Sequence, residues 1–271
     1  MPKQWECGKF MKISVITINY NNAKGLEKTI NSVIQQSYSD FEYIIIDGNS
    51  TDGSKEIFND YKEKYPIKGV SEPDKGLYNA MNKGIDMAQG DYCIFMNSGD
   101  TFFDASALAN VEPYLKNNIG VVSGIGKAGI LTWYPPKPSN INLTFFLKNS
   151  LNHQSTFVRR DILLKHHFSE NYKIVSDTEF LFKALILDNE SYIDIPIVVC
   201  SCEEPGASGN LKKSLEERYT AIKKLLPPRM SYDIDFIIKY HNSAILTIGN
   251  LLYNKFFRKI SQILTSKKVR K

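Results

Sequence analysis

Ile13-Ser-Val-Ile-Thr-Ile-Asn-Tyr20 is a β-branched run that halts at Asn21-Asn22, and Phe41-Glu-Tyr-Ile-Ile-Ile-Asp47 repeats the pattern before the turn cluster Gly48-Asn-Ser-Thr-Asp-Gly53. Short apolar runs closed by turn residues read as buried strands. Between the two, Leu26, Ile30, Val33 and Ile34 recur at spacings of three and four, so Gly25 to Gln36 reads as an amphipathic helix with one apolar stripe. A second helix carries Ile57, Phe58 and Tyr61, with Asp52 or Ser54 as its cap. A third strand near Ile67 to Glu72, a helix from about Leu77 to Ala88 and a fourth strand at Tyr92-Cys-Ile-Phe-Met96 follow.

Strands alternating with helices of about this length imply βαβ units and a largely parallel sheet. In such sheets ligands bind beyond the carboxyl ends of the strands. That position singles out Tyr20 and Asn21, Asp47, Asp74 and Lys75, and the turn Asn97-Ser-Gly-Asp100. Asn and Asp also form turns for their own hydrogen-bonding reasons, so each alone has a structural reading. Four such clusters in succession point to a site. No Gly-x-Gly-x-x-Gly follows the first strand and no Gly-x-x-x-x-Gly-Lys-Ser/Thr occurs anywhere. Dinucleotide oxidoreductases and P-loop enzymes are thereby disfavoured, and a diphosphate would be handled by a metal held on a carboxylate beside a glycine.

Four ordered segments, Ser14-Val-Ile-Thr-Ile-Asn-Tyr-Asn21, Ile45-Ile-Asp-Gly-Asn-Ser-Thr-Asp-Gly-Ser54, Ser71-Glu-Pro-Asp-Lys-Gly-Leu-Tyr-Asn-Ala-Met-Asn-Lys-Gly-Ile85 and Gly90-Asp-Tyr-Cys-Ile-Phe-Met-Asn-Ser-Gly-Asp100, resemble the inverting glycosyltransferases of family 2. The resemblance implies the GT-A fold, an α/β, Rossmann-like and mostly parallel central sheet flanked by helices. It sets out a domain over residues 1–205, with a nucleotide-sugar half at about 12–103 and an acceptor half at about 104–205. Residues 206–271 form a helical C-terminal extension. Its wording is similar to the bacterial branch that builds capsule, O-antigen or exopolysaccharide. The implied reaction moves a sugar from a nucleotide-sugar donor, a UDP-sugar, to a glycan or polyprenyl-linked acceptor.

By the same resemblance Thr17, Tyr20, Asn21 and Asp47 hold the nucleoside, Asp74 and Lys75 line its pocket, and Asn97 and Ser98 lie on the donor side. Lys75 also has a structural reading as a solvated loop cation. Many relatives carry two consecutive Asp where this chain has Asp47-Gly48. The family's metal motif, often Asp-x-Asp-Asp, is reduced here to Asn97-Ser-Gly-Asp100, leaving Asp100 for Mg²⁺ or Mn²⁺. In the acceptor half, Ser176-Asp177 matches the family's Glu-Asp, so Asp177 is the candidate general base. It also fits as the N-cap of a helix from Thr178 to Leu187, and both can hold. Glu179 would point elsewhere. His153 and Gln154 are acceptor-side candidates, and Trp133 with Tyr134-Pro-Pro-Lys-Pro138 is either an acceptor wall or core.

Two rival functions remain. A sugar nucleotidyltransferase would need a Gly-rich basic loop after the first strand, and Tyr20-Asn-Asn-Ala23 offers none. A catalytically idle carbohydrate-binding or scaffold protein gains standing from the missing motif carboxylates.

Composition sets the remaining bounds. With 42% hydrophobic and 23% charged residues the chain supports a packed core and excludes disorder. The net +5 is uneven, because Lys255, Arg258, Lys259, Lys267, Lys268, Arg270 and Lys271 crowd the last eighteen residues without one acid. The body is slightly acidic, which disfavours nucleic acid as a partner. Ile248, Leu252, Tyr253, Phe256, Phe257, Ile260, Ile263 and Leu264 share one helical face, with Lys259 at its rim and Lys255, Arg258 and Gln262 outside it. Such a helix either lies on an anionic membrane surface or packs on the catalytic domain or a second subunit of a homodimer. Cys200 and Cys202, without further ligands nearby, read as two buried, inert thiols. With no secretory pattern in Met1 to Phe10 and no apolar span of about 20 residues, the expected location is cytoplasmic, peripheral to the inner membrane face.

Overall fold

A computed structural model describes residues 12–203 and 211–241. Strands β1 (Ile13–Asn19), β2 (Phe41–Asp47), β3 (Ile67–Ser71) and β4 (Tyr92–Phe95) run parallel in the order β3-β2-β1-β4. Every residue of β1 is buried, as a strand covered on both faces requires. The register sets Asn19 beside Asp47 and Asp47 beside Ser71, so three polar strand ends meet at one edge of the sheet.

Helices α1 (Ala23–Ile34), α2 (Ser54–Lys64) and α3 (Leu77–Met87) supply the crossovers. In α1 the stripe Leu26, Ile30 and Val33 is fully buried, each side chain worth about 1.5–3 kcal/mol. Asn22 caps this helix, its Oδ1 accepting the Gly25 N–H at 3.1 Å. At α2 the cap differs from the expectation. Gly53, at φ 95°, holds the N-cap position, where glycine alone is unstrained. Asp52 acts from just outside, accepting the Ser54 N–H at 3.2 Å and its hydroxyl at 2.6 Å.

The rest of the sheet is mixed. Strands β5 (Thr101–Phe102), β6 (Val121–Ala128), β7 (Leu131–Trp133), β8 (Thr156–Arg159) and β9 (Tyr192–Ser201) bring it to nine strands among the described residues. The order is β3-β2-β1-β4-β8-β6-β9-β5, with β7 on β6. β8 is antiparallel to both β4 and β6, and β5 to β9, while β6 and β9 run parallel. The α/β class holds, and the unbroken parallel run is that of the first four strands, with β6 and β9 as one further parallel pair. The short link between β6 and β7 cannot make a crossover and closes an antiparallel hairpin instead.

Helices α4 (Ala107–Val111), α5 (Leu143–Lys148), α6 (Arg160–His166) and α7 (Ser176–Phe182) flank this half, and α7 continues through a π-helical turn at Lys183–Leu187. After residue 210 come α8 (Leu211–Leu225) and α9 (Pro228–His241), separated at Pro227-Pro228 as the sequence suggests. The chain divides into two compact units, Met1–Ile222 and Lys223–Lys271. The first unit thus runs past residue 205, where the resemblance set its boundary, and takes in most of α8. Its physical cause is Glu217, whose carboxylate accepts the backbone N–H groups of Lys173, Ile174 and Val175 at 2.8, 2.7 and 3.1 Å. The start at Met1 to Phe10, the loop Pro205 to Gly209 and the basic amphipathic end lie outside the described residues. Among the described residues no helix is long and apolar enough to cross a membrane.

Candidate active site

The polar strand ends form two layers. Asp47 is fully buried, its Oδ1 taking Asn19 Nδ2 at 2.7 Å and the Ser50 hydroxyl at 2.6 Å. Its Oδ2 takes the Ser50 N–H at 3.0 Å and the Ser71 hydroxyl at 2.6 Å. Burial pushes this carboxyl upward, but the four donors outweigh it and hold the group below its ordinary value. Thr17 is equally buried, with Oγ1 3.0 Å from the Tyr43 hydroxyl. The polar atoms of these two residues are bonded inside the protein, beneath the edge.

Above them sit the exposed candidates. Asn21, at φ 48°, ties the end of β1 to the loop after β2, its N–H donating to Ser50 Oγ at 2.8 Å and its Oδ1 accepting the Thr51 N–H at 2.9 Å. Tyr20 is 67% exposed. A Cβ at Gly48 would stand 2.5 Å from Asp74 Oδ2 and 3.0 Å from Tyr20 Cδ2, so ring and carboxylate flank this glycine from two sides. Lys75 stays exposed on the loop.

The remaining candidates meet in one cavity of about 1080 Å³, lined by Asn97, Ser98, Asp100, His153, Gln154 and Asp177. His153 bridges its two halves. Its Nδ1 lies 3.3 Å from Asp177 Oδ2 and its Nε2 lies 3.2 Å from the Asn97 amide nitrogen. Burial pushes the imidazole down, and the Asp177 bond and the charges of Asp177 and Asp100 overcome that, leaving its pKa raised. Asp177 sits in the first turn of α7, after the N-cap Val175, so it is not the cap itself. Its Oδ1 takes the Thr178 N–H at 2.7 Å and faces the Tyr78 hydroxyl at 3.4 Å. Glu179 points away into an ion pair with Lys183 at 2.7 Å. Trp133 and Tyr134 are wall rather than core, 41% and 74% exposed on the cavity rim. Cys200 is buried as expected. Cys202 is a correction: half-buried, it lines the cavity with its sulfur 3.6 Å from that of Cys200. Hydrogen bonding between the thiols lowers the Cys202 pKa and raises that of Cys200.

Asp100 is 6% exposed, its oxygens taken by Gln154 Nε2 at 3.0 Å and the Glu203 N–H at 2.9 Å. Desolvation raises its pKa despite these bonds. The sequence reading missed Glu203. Gly99, at φ 103°, has no side chain, and the Glu203 carboxylate occupies the space where one would begin. The motif's lost carboxylate is thus matched spatially by one from beyond β9, a relation no local spacing reveals. Asn97 Oδ1 and Ser98 Oγ are buried without a hydrogen-bond partner among the described residues. These hard oxygen donors fit Mg²⁺ or Mn²⁺. Among the described residues no group of three or more His, Cys, Asp or Glu can hold an ion by itself, so substrate oxygens would complete the shell.

A helix-flanked sheet whose parallel edge opens into a cavity with paired carboxylates is that of a GT-A glycosyltransferase. The chain belongs to glycosyl transferase family 2, whose profile matches residues 14–175. An uncharacterized glycosyltransferase of Mycobacterium tuberculosis is 29% identical over 209 residues, covering 74% of this chain and 79% of the relative. A PGL/p-HBAD biosynthesis glycosyltransferase of Mycobacterium bovis is 26% identical over 206 residues, covering 73% and 78%. Among solved structures, Staphylococcus aureus TarS 1–349 in complex with UDP-GlcNAc superposes with TM-score 0.63 at 21% identity, over 79% of this chain and 65% of that one. The chain therefore spans just under two thirds of that TarS fragment. The mannosyltransferase PcManGT from Pyrobaculum calidifontis, with GDP-Man and Mn²⁺, superposes with TM-score 0.62 at 18% identity, over 82% and 68%. At these identities the superpositions establish the shared fold.

Proposed function

We propose that this glycosyltransferase moves a sugar from a UDP-sugar to a glycan or lipid-linked glycan with inversion, in the synthesis of a bacterial surface polysaccharide. The observation that carries this reading is the His153 bridge, which links Asp177 to the Asn97–Asp100 turn within one cavity. Asp177 takes the proton of the attacking acceptor hydroxyl. The acceptor oxygen bonds to the anomeric carbon on that side, and the carbon–oxygen bond to the diphosphate breaks on the other. Tyr20 stacks on the base, and Asp74, beside Gly48, replaces the contact that a second consecutive Asp would make. Asp100 and Glu203 would hold Mg²⁺ or Mn²⁺, which supplies positive charge against the departing nucleoside diphosphate. Gln154 and the Glu203 N–H fix the Asp100 carboxylate, and Trp133 and Tyr134 wall the acceptor side.

The basic amphipathic end would keep this domain at the cytoplasmic face of an anionic membrane, each nearby cation contributing about 1 kcal/mol. Support for that part is sequence alone, and salt-sensitive vesicle binding lost on truncation after Tyr253 tests it. The reaction itself is tested by nucleoside diphosphate release from UDP-, GDP- and dTDP-sugars with Mn²⁺. Release from a UDP-sugar, stimulated by a glycan acceptor, is the expected result. Silence across the panel favours an idle carbohydrate-binding protein instead.

A further inference from the structure

Arg218, on α8, lies beyond the residues that the family profile matches, yet it lines the same cavity as Asp177. The adjacent Glu217 explains why. By accepting three successive N–H groups ahead of α7, it binds α8 to the segment that carries Asp177 and fixes Arg218 at the cavity wall. Ser214, one helical turn earlier on the same face, lines the cavity too.

The Arg218 guanidinium is partly withdrawn from water, and its Nε is buried with no partner among the described residues. It makes no ion pair or hydrogen bond among the described residues. The charge of the nearby Asp177 favours the guanidinium, but that carboxylate is bonded to Thr178, Tyr78 and His153 and gives Arg218 no hydrogen bond among the described residues. A desolvated guanidinium with an idle donor is costly unless a ligand brings the acceptor. Lys148 and Lys173 line the same cavity, and neither forms an ion pair among the described residues. Sugar hydroxyls need no such concentration of cations. A phosphate group, carrying about two negative charges and several acceptor oxygens, matches it better than a single carboxylate.

We infer that Arg218, in a cavity that Lys173 and Lys148 also line, binds a phosphate group of the acceptor. The assignment rests on the transfer reaction proposed above. In an inverting reaction the base faces the acceptor and the leaving diphosphate lies opposite, so cations beside Asp177 belong to the acceptor half. The donor's own diphosphate is the other source of the same chemistry, and the experiment separates the two.

Binding of UDP with Mn²⁺ is measured by calorimetry, and binding of methyl phosphate to the UDP-loaded protein by phosphorus NMR, for the full chain and for Arg218→Gln and Arg218→Lys. The expected result is methyl phosphate affinity at least tenfold weaker in Arg218→Gln and largely restored in Arg218→Lys, with UDP affinity changed less than twofold. If Arg218→Gln weakens UDP as much as methyl phosphate, the anion is the donor's and the inference is overturned. Methyl phosphate binding that is absent, or indifferent to Arg218, overturns it as well. Failure of the unaltered chain to bind any nucleotide would overturn the transfer reading instead, which separates the two outcomes. Matching thermal unfolding of the variants confirms that Arg218→Gln is folded, and the Lys variant keeps the test decisive if it is not.

Discussion

His153 faces Asp177 across 3.3 Å, Nδ1 to Oδ2, with side chains only 24% and 15% exposed. A protonated imidazole so close neutralises the carboxylate and weakens it as a proton acceptor. The His153 pKa is raised above its ordinary 6.5, so the inhibiting cation persists to higher pH than that of a free imidazole. Turnover should therefore climb as pH rises through that raised value, and His153→Gln should lose this limb of the pH–rate profile. Stability runs the other way. The contribution of the pair is fully present below the ordinary histidine value and disappears as pH rises through the folded one. Urea unfolding of the wild type at acid and alkaline pH, beside His153→Gln, reads that difference.

Asp177→Asn preserves the volume and the acceptor that receives the Thr178 N–H, so α7 keeps its first turn. The amide takes no proton. Transfer should fall by about 10²–10⁴-fold, the usual worth of a general base, with UDP affinity and unfolding temperature almost unchanged. Retained turnover would remove Asp177 from the chemistry.

Glu203 and Asp100 should share the metal. The Mn²⁺ affinity of the UDP-loaded protein is expected to drop at least tenfold in Glu203→Gln and further in Asp100→Asn, as read by electron paramagnetic resonance. Without nucleotide, Mn²⁺ should bind weakly even to the wild type, because the protein lacks a complete ligand set among its described residues. Tight binding to the nucleotide-free protein would contradict this site.

The first half of the molecule was readable because its signals are local. The β1 and β2 runs, the α1 stripe and the turns that follow lie within a few residues of the elements they specify, and the parallel edge follows from their alternation. The second half was not, because β6, β8 and β9 pair across long sequence separations without a repeating unit. The site divides the same way. Asn97, Asp100, His153 and Asp177 could be picked by motif, while Glu203 and Arg218 reach the cavity only through tertiary placement. Thr17 and Asp47 show the converse limit: position at a strand end marks a residue as near the site, and burial decides whether it reaches a ligand.

Glu217→Ala tests the joint that brings α8 to the cavity. Removing the carboxylate leaves the N–H groups of Lys173, Ile174 and Val175 to water or unpaired, at a cost of about 2 kcal/mol in urea unfolding. Because the same segment carries Asp177, turnover should fall while UDP affinity holds, as calorimetry would show.

Gly48 offers the cleanest probe of that nucleoside end. A methyl group there meets the Asp74 carboxylate at 2.5 Å, and one of the two must move. Asp74 sits on a loop and gives way more easily than the end of β2, whose Asp47 is pinned by four hydrogen bonds. Gly48→Ala should therefore leave the fold intact and displace Asp74, raising the donor KM by about tenfold, the worth of one hydrogen bond to a charged group. Gly48→Asp combined with Asp74→Ala puts a carboxylate back over the same spot from the other strand end. Recovery of UDP affinity in the double variant, compared with either single change by calorimetry, would show that the nucleoside reads the position of the charge and not the residue that carries it. Additive losses would show that Asp74 holds the loop rather than the base.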